Sequence, residues 1–497
     1  MVVVAAATLS QAAGQEAEPV LPPPRPVPAA DQPKLTLDDV LLSVAAFYPL
    51  VRAAEQEREI ASGQQLAAQS AFDTNLFGSG YDQSGTYESQ RLDSGLFQPT
   101  PYLGASLFAG YRLSSPGDFP TYYLQRKTAE GGEFRAGVVV PLLRDRAFDK
   151  RRAQVQQGTI TRALAEPTVH GQRLEIARNA ARAYWSWTAA GHRLRIARRI
   201  LDIALVRDGQ LAELIKQGRL APIERTDNER SIADRRARLH VAERAFQQTA
   251  ILLSLYLRDA QGAPRIPECE LVPWFPEPPA FPCDDQLDAD LEIALRNRPE
   301  LRRLILLRER AQVDLRLAEN QTLPGVAVSL TGAQDMGYGK SSLSGPNGLD
   351  RRNYEAALLV DVPLQRREAR GRAQSARATL AQLLAQEQFA RDRIRADLQD
   401  AVSAMRQAAQ VRGRAVEGIR LNEEMEKAEV AKFRQGQSNL LFVTIREMMT
   451  AEAQALEVDA LADVHRAYAD YVAALGIDPT APLDGAAGMG DAGAPCP

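Results

Sequence analysis

Apolar positions three and four apart recur along most of the chain, within stretches dense in Ala, Leu, Arg, Glu and Gln, and predict helices. Val464, Tyr468, Tyr471 and Leu475 show the spacing, as do Ile394, Leu398, Val402 and Met405. Two stretches are long, about 142–217 and 364–435, each roughly 75 residues or ~110 Å of helix. Four are shorter, about 36–71, 219–258, 287–323 and 437–475, each roughly 40 residues or ~60 Å. Two short helices laid end to end match one long helix, as a uniform cylinder built from mixed pieces requires. Glu166-Pro167 marks a place where the first long helix is expected to kink or break.

Elsewhere the period drops to two, which predicts strands. Tyr354, Ala356, Leu358, Val360 and Val362 share one face of a run, and Val326, Val328 and Leu330 share one face of another. In the first half, Leu103, Ala105, Leu107, Ala109 and Tyr111 alternate with Tyr102, Gly104, Ser106, Phe108 and Gly110. Phe134 to Val140 is a further strand, and Phe77 to Tyr87 a weaker, Gly-rich one. Three strands between helices would put those helices at opposite ends of the sheet. The segment 101–112 is therefore expected to be a surface loop or an added hairpin, leaving four core strands.

The order of elements repeats. Leu37-Asp38 opens a helix with Pro49 twelve residues on, and Leu287-Asp288 opens another with Pro299 twelve residues on. Val140-Pro141 matches Val362-Pro363, Arg152-Ala153-Gln154 matches Arg372-Ala373-Gln374, and Lys216-Gln217-Gly218 matches Arg434-Gln435-Gly436. Four matches in one order indicate a tandem duplication. The expected divisions are a signal-like apolar segment and Pro-rich linker (1–34), a first repeat (35–262), a Pro-rich connector (263–286), a second repeat (287–480) and a flexible tail (481–497).

Composition narrows the chemistry. Lys+Arg 60 against Asp+Glu 63 gives a net charge of −3 over 497 residues, with no basic footprint for nucleic acid. No apolar run reaches the ~18 residues of a spanning helix, which excludes a polytopic helical membrane protein and leaves a β-barrel open. Three cysteines argue against a disulfide scaffold, although Cys269 and Cys283 flank the connector and are near enough in sequence to pair. The four histidines and the Tyr184, Trp185, Trp187 group read as packing residues. Tyr102, Phe108, Tyr111, Tyr122 and Tyr123 suit an aromatic girdle. No catalytic constellation, metal spacing or cofactor motif is evident, so no enzyme is expected. Four strands cannot close a barrel alone, and narrow-seamed helices need lateral neighbours, so the chain is expected to oligomerise.

With the paired LD…P openings, Thr322-Leu323-Pro324 before a strand, the VVPLLR run at 139–144 and the two Gly-centred turns, the chain resembles the TolC-like outer-membrane efflux channel family over about residues 35–480. The resemblance implies an α+β membrane protein: a homotrimer whose long helical hairpins form a periplasmic helical barrel. Four strands per protomer would join a shared twelve-stranded barrel in outer-membrane lipid, and the connector would lie in an equatorial layer. It further implies a passive exit duct of a tripartite efflux or type I secretion system, gated at its periplasmic tip. The partners would be a periplasmic adaptor and an inner-membrane pump or ABC exporter. The tip turns, which would dock the adaptor, fall at Gly218, Arg219 and Leu220 and at Gly436, Gln437 and Ser438. Acidic residues can ring the constriction after the second turn in such proteins; here Phe442 and Ile445 stand there, and Glu224 and Asp227 after the first turn are the acidic candidates. The alternative is a soluble periplasmic coiled-coil scaffold.

Overall fold

The computed structural model describes residues 34–85, 88–114, 128–218, 221–280, 282, 286–338 and 352–480. Its helices fall into two equivalent sets. In the first, α1 (Leu37–Phe47) and α2 (Pro49–Gln69) precede the long α3 (Lys150–Lys216) and α4 (Pro222–Ser254); in the second, α5 (Leu287–Asn297) and α6 (Pro299–Asn320) precede the long α7 (Arg367–Arg434) and α8 (Leu440–Ala474). The duplication is thus structural as well as sequential.

Several boundaries differ from the periodicity reading. The stretches 36–71 and 287–323 are each two helices, broken at Pro49 and Pro299. The residue before each proline, Tyr48 at ψ 122° and Arg298 at ψ 121°, is extended, because the proline ring excludes the helical ψ there. Pro167, by contrast, sits inside an unbroken α3 of 67 residues. The helix survives the loss of one hydrogen bond because α3 is held on several sides: it packs against α2, α4, α6 and α8. Both long helices begin later than expected, since 142–149 and 362–366 turn the chain from strand to helix.

Arg58 of α2 pairs with Glu166 at 2.7 Å and Gln157 donates to Asp314 of α6 at 2.5 Å. Further along α3, Asn228 of α4 donates to the Ala204 carbonyl at 3.2 Å. The arc is therefore α2–α3–α6–α7 beside the sheet and α4–α3–α8–α7 at the far end. In the core, Val40 and Val44 of α1 meet Ala180, Tyr184, Trp187 and Leu194 of α3, Leu253 of α4 and Val272 of the connector. The second repeat has a smaller counterpart in Leu291, Leu301, Ile394, Leu398 and Leu475.

The described strands form one antiparallel sheet in chain order: β1 (Asn75–Gln83), β2 (Ser89–Pro99), β3 (Ser106–Ser114), β4 (Glu133–Pro141), β5 (Gly325–Asp335) and β6 (Arg352–Asp361). Six strands replace the four expected. Of the segment 101–112, residues up to 105 lie in the β2–β3 turn and the rest in β3, so a strand of an added hairpin stands there rather than a long surface loop. The strand not anticipated is β2, whose apolar positions are interrupted by Arg91, Asp93 and Gln98. Parity is kept, because four strands in the first half return the chain to the helical end.

The pairing register separates two faces. Leu76 opposes Leu96, Leu92 opposes Leu113, Leu107 opposes Val138, Val138 opposes Leu330 and Val328 opposes Leu358. One apolar face thus runs across all six strands, with Leu76 80% and Leu358 65% exposed. The opposite face carries Arg112, which pairs with Asp93 at 2.7 Å and Glu133 at 3.6 Å, and Asp93 also pairs with Arg91 at 2.5 Å. The sheet thus has an exposed apolar face and an opposite face that carries paired charges. No helix among the described residues is long and apolar enough to cross a membrane.

Candidate functional site

Both long helices end in a reversal at the end of the arc remote from the sheet. At the end of α7, the Gly436 N–H donates to the Phe433 carbonyl at 3.0 Å and the Gln437 N–H to the Lys432 carbonyl at 2.9 Å. These are the two bonds of a Schellman cap. Gly436 has φ +74°, and at the end of α3 Gly218 has φ +69° with its N–H on the Ile215 carbonyl at 2.9 Å. Glycine suits both positions because a Cβ is disfavoured at positive φ. The chain then restarts through Pro222 at the head of α4 and through Asn439, whose Oδ1 accepts from the Phe442 N–H at 3.2 Å. Ser438 Oγ donates to Glu429 at 2.5 Å. Arg219 and Leu220 lie outside the described residues, as do Tyr122, Tyr123, Cys283, Cys496 and the segments 1–33 and 481–497.

The four residues considered for a constriction divide by environment. Glu224 and Asp227 are half-buried in the first turns of α4, and Asp227 accepts from Arg230 at 3.1 Å within its own helix. Phe442 and Ile445 are 52% and 38% exposed. Helical spacing sets them on one face of α8 with Met449 and Leu456, also exposed. Further up, that face carries Leu456, Asp463 and Arg466 into a groove completed by Ser186 of α3, Leu252 of α4 and Val411 of α7. The groove is the concave side of the four-helix arc. The connector covers the opposite side, where Val272 sits so close to Gly191 of α3 that a Cβ there would meet it at 2.7 Å.

Above the tip, α8 is tied to the α3–α4 hairpin by buried charge. Glu447 accepts from Arg207 of α3 and, at 2.7 Å, from Arg235 of α4. Arg235 is 1% and Glu447 4% exposed in their side chains, and Arg235 also donates to the Ile200 carbonyl at 2.5 Å. The sequence reading did not single out this triad. Its signal was a charged residue at a buried helical position on each of α4 and α8, beside Ser231–Ile232 and Leu440–Val443.

Comparison with protein-family models and with curated proteins finds no match. Solved structures do match. The open-state MtrE outer membrane channel of Neisseria gonorrhoeae superimposes with a TM-score of 0.62 at 16% identity, covering 89% of this chain and 89% of that one. The outer membrane protein VceC of Vibrio cholerae gives 0.62 at 16% identity over 88% and 96%, and the outer-membrane channel OprN gives 0.63 at 15% over 88% and 89%. The fold is that of the TolC-like outer-membrane channels.

In this channel fold the connector forms a layer on the outside of the arc. It is held by aromatic stacking: the His465 ring lies 4.1 Å from the Trp185 ring and 6.0 Å from that of Phe275, centroid to centroid. His192 Nε2 bonds the Pro273 carbonyl at 2.9 Å, and Arg195 lies 5.2 Å over the Trp274 ring. Burial lowers the pKa of both histidines, that of His465 to about 4. Tyr184, Trp185 and Trp187 are buried in packing roles.

Proposed function

We propose that this chain is the outer-membrane component of an efflux or type I secretion system: a passive homotrimeric duct that spans outer-membrane lipid and extends through the periplasm. The observation that carries the reading is the six-stranded sheet, apolar on one face and charged on the other, with every helix departing from one end. Such a sheet has two unpaired edges, which lipid does not tolerate, so copies must close it. The helical arc is open in the same way, ending at α7 on one side and at α2 and α4 on the other. The cargo path is the concave side, away from the connector.

In this reading the turns at Gly218–Leu220 and Gly436–Ser438 are the periplasmic tip. They meet an adaptor protein, which in turn engages an inner-membrane pump or ABC exporter. Phe442, Ile445 and Met449 face the path just above the tip, so three copies converge as an apolar collar that closes by excluding water. Glu224 and Asp227 stand behind it as helix-start carboxylates, where the helix dipole favours negative charge. Engagement of the tip opens the collar by moving α7–α8 relative to α3–α4. No step in this function requires catalysis.

Fractionation followed by mass measurement of the detergent-solubilised protein tests the proposal. An outer-membrane species of about three chain masses is expected. A soluble monomer or dimer from correctly targeted full-length protein would overturn the duct and leave the soluble scaffold as the better reading.

A further inference from the structure

The trimeric duct leaves open which strand edges meet. Its simplest version uses β3–β6 of each chain, twelve strands in all, with β1–β2 set aside as an extra hairpin. Three observations argue against setting them aside. The apolar face continues onto β1 and β2 through the Leu76–Leu96 and Leu92–Leu113 pairs, so this hairpin has the same lipid-facing side as the rest. Its 9- and 11-residue strands match the 9 to 11 residues found in the other four. The β2–β3 turn is fixed to the helical end of the sheet: at Gly104 (φ +67°) a Cβ would lie 2.3 Å from the Asp145 carbonyl oxygen and 2.9 Å from the Pro141 ring. The hairpin therefore stands in line with β3–β6.

Perimeter supplies a fourth argument. Strands about 4.8 Å apart, tilted by about 40°, each occupy about 6.3 Å of circumference, so six strands span about 38 Å and four about 25 Å. The four helices beside the sheet, at interaxial distances of about 9–10 Å, span about 36–40 Å. At that tilt six strands match the width of the helical arc beneath them.

We infer that β6 of one copy pairs with β1 of the next, closing an eighteen-stranded barrel. The inference rests on the trimeric duct and sets its outlet. β1 runs away from the helical end and β6 runs toward it, so the two meet antiparallel. The outward faces of β6 (Tyr354, Leu358) and β1 (Leu76) then continue around the ring. Barrel diameter grows roughly linearly with strand number, so this outlet is about half again as wide as a twelve-stranded one. The wall is as wide as the helical tube, which leaves the tip as the narrow point of the path.

Outward-facing cysteine pairs distinguish the two closures. In full-length protein lacking Cys269, Cys283 and Cys496, Gly78→Cys in β1 is combined in turn with Tyr354→Cys, Ala356→Cys, Leu358→Cys and Val360→Cys in β6, so that the register is scanned. A second set replaces Gly78→Cys by Ala109→Cys in β3. Oxidation in membranes is expected to shift protein in the Gly78 set from one chain mass to two and three chain masses on denaturing gels, and to leave the Ala109 set at one. Cross-linking in the Ala109 set, or none in the Gly78 set of a protein that purifies as a trimer, overturns the eighteen-stranded closure and spares the duct. A protein that does not purify as a trimer overturns the duct itself, and the closure with it.

Discussion

The His465 imidazole stacks on the Trp185 ring beside that of Phe275, and its Nε2 is buried without a hydrogen-bond partner. A proton there has to be taken out of water, so the folded-state pKa falls to about 4 from an ordinary value of 6.5. Between those values the unfolded chain binds the proton and the folded chain does not. Stability is accordingly at its fullest above pH 6.5, declines as pH falls toward about 4, and declines no further from this group below that; the loss amounts to ~3 kcal/mol. His465→Phe keeps the stack and removes the proton. Its melting temperature is expected to depend less on pH between 7 and 5 than that of the wild type, and parallel curves would refute the assignment. Gly436 presents a different residue-scale case. No atom lies within 4 Å of where its Cβ would be, so Gly436→Val meets no clash and costs only the strain of positive φ, about 1–2 kcal/mol. Trimer yield should stay near that of the wild type while export drops; unchanged export would count against the tip assignment.

Among the elements, α8 depends on charge that it does not own. Glu447→Gln leaves the Arg207 and Arg235 guanidiniums in a buried seam without a counter-charge, and should destabilise the lower arc by about 3–5 kcal/mol. Replacing all three residues by Met removes the buried charge altogether and should recover most of that loss, as read by thermal unfolding and by protease sensitivity near the tip. A triple variant as unstable as the single one would show that the triad matters for something other than unpaired charge. This scale also divides what could be read from the chain and what could not. Helical period, the duplication and the two tip glycines are local patterns, and all are visible in the sequence. β2 escaped because a strand of this sheet needs only one apolar face, and Leu92 and Leu96 alone are too sparse to stand out among Arg91, Asp93, Gly95 and Gln98. Pro167 does not break α3, and the packing that holds the helix together there comes from residues more than a hundred positions distant, such as Arg58 and Asp314. The triad escaped for the same reason: Arg235 and Glu447 are 212 residues apart.

At the scale of the whole molecule, α7 is the element with the most left over. It packs against α6 and α8 through Glu387, Ile394, Leu398 and Met405, and most of its remaining surface is exposed. Helical periodicity sets Phe389, Leu421 and Met425 on the side opposite that packing stripe, and Phe389 is 66% exposed. Between them on the same side come small residues, Ala396, Ser403 and Gly418, which let a neighbouring helix approach closely. In the proposed trimer this side of α7 would meet α2 of the next copy near the sheet and α4 near the tip. Those helices expose Leu50, Ile60 and Leu66, and Ile223, Val241 and Ile251. Phe389→Glu adds a charge to that seam and removes the apolar area that the ring would bury, a loss of about 2 kcal/mol per interface before the cost of desolvating the carboxylate. Three interfaces carry the change. The solubilised variant should therefore run increasingly at one chain mass as it is diluted, at concentrations where the wild type holds at three, while the melting of the α6–α7 packing stays close to that of the wild type. A variant that stays at three masses on dilution would place the free side of α7 away from the seam, and the lateral order α7 to α2 and α4 would have to be redrawn.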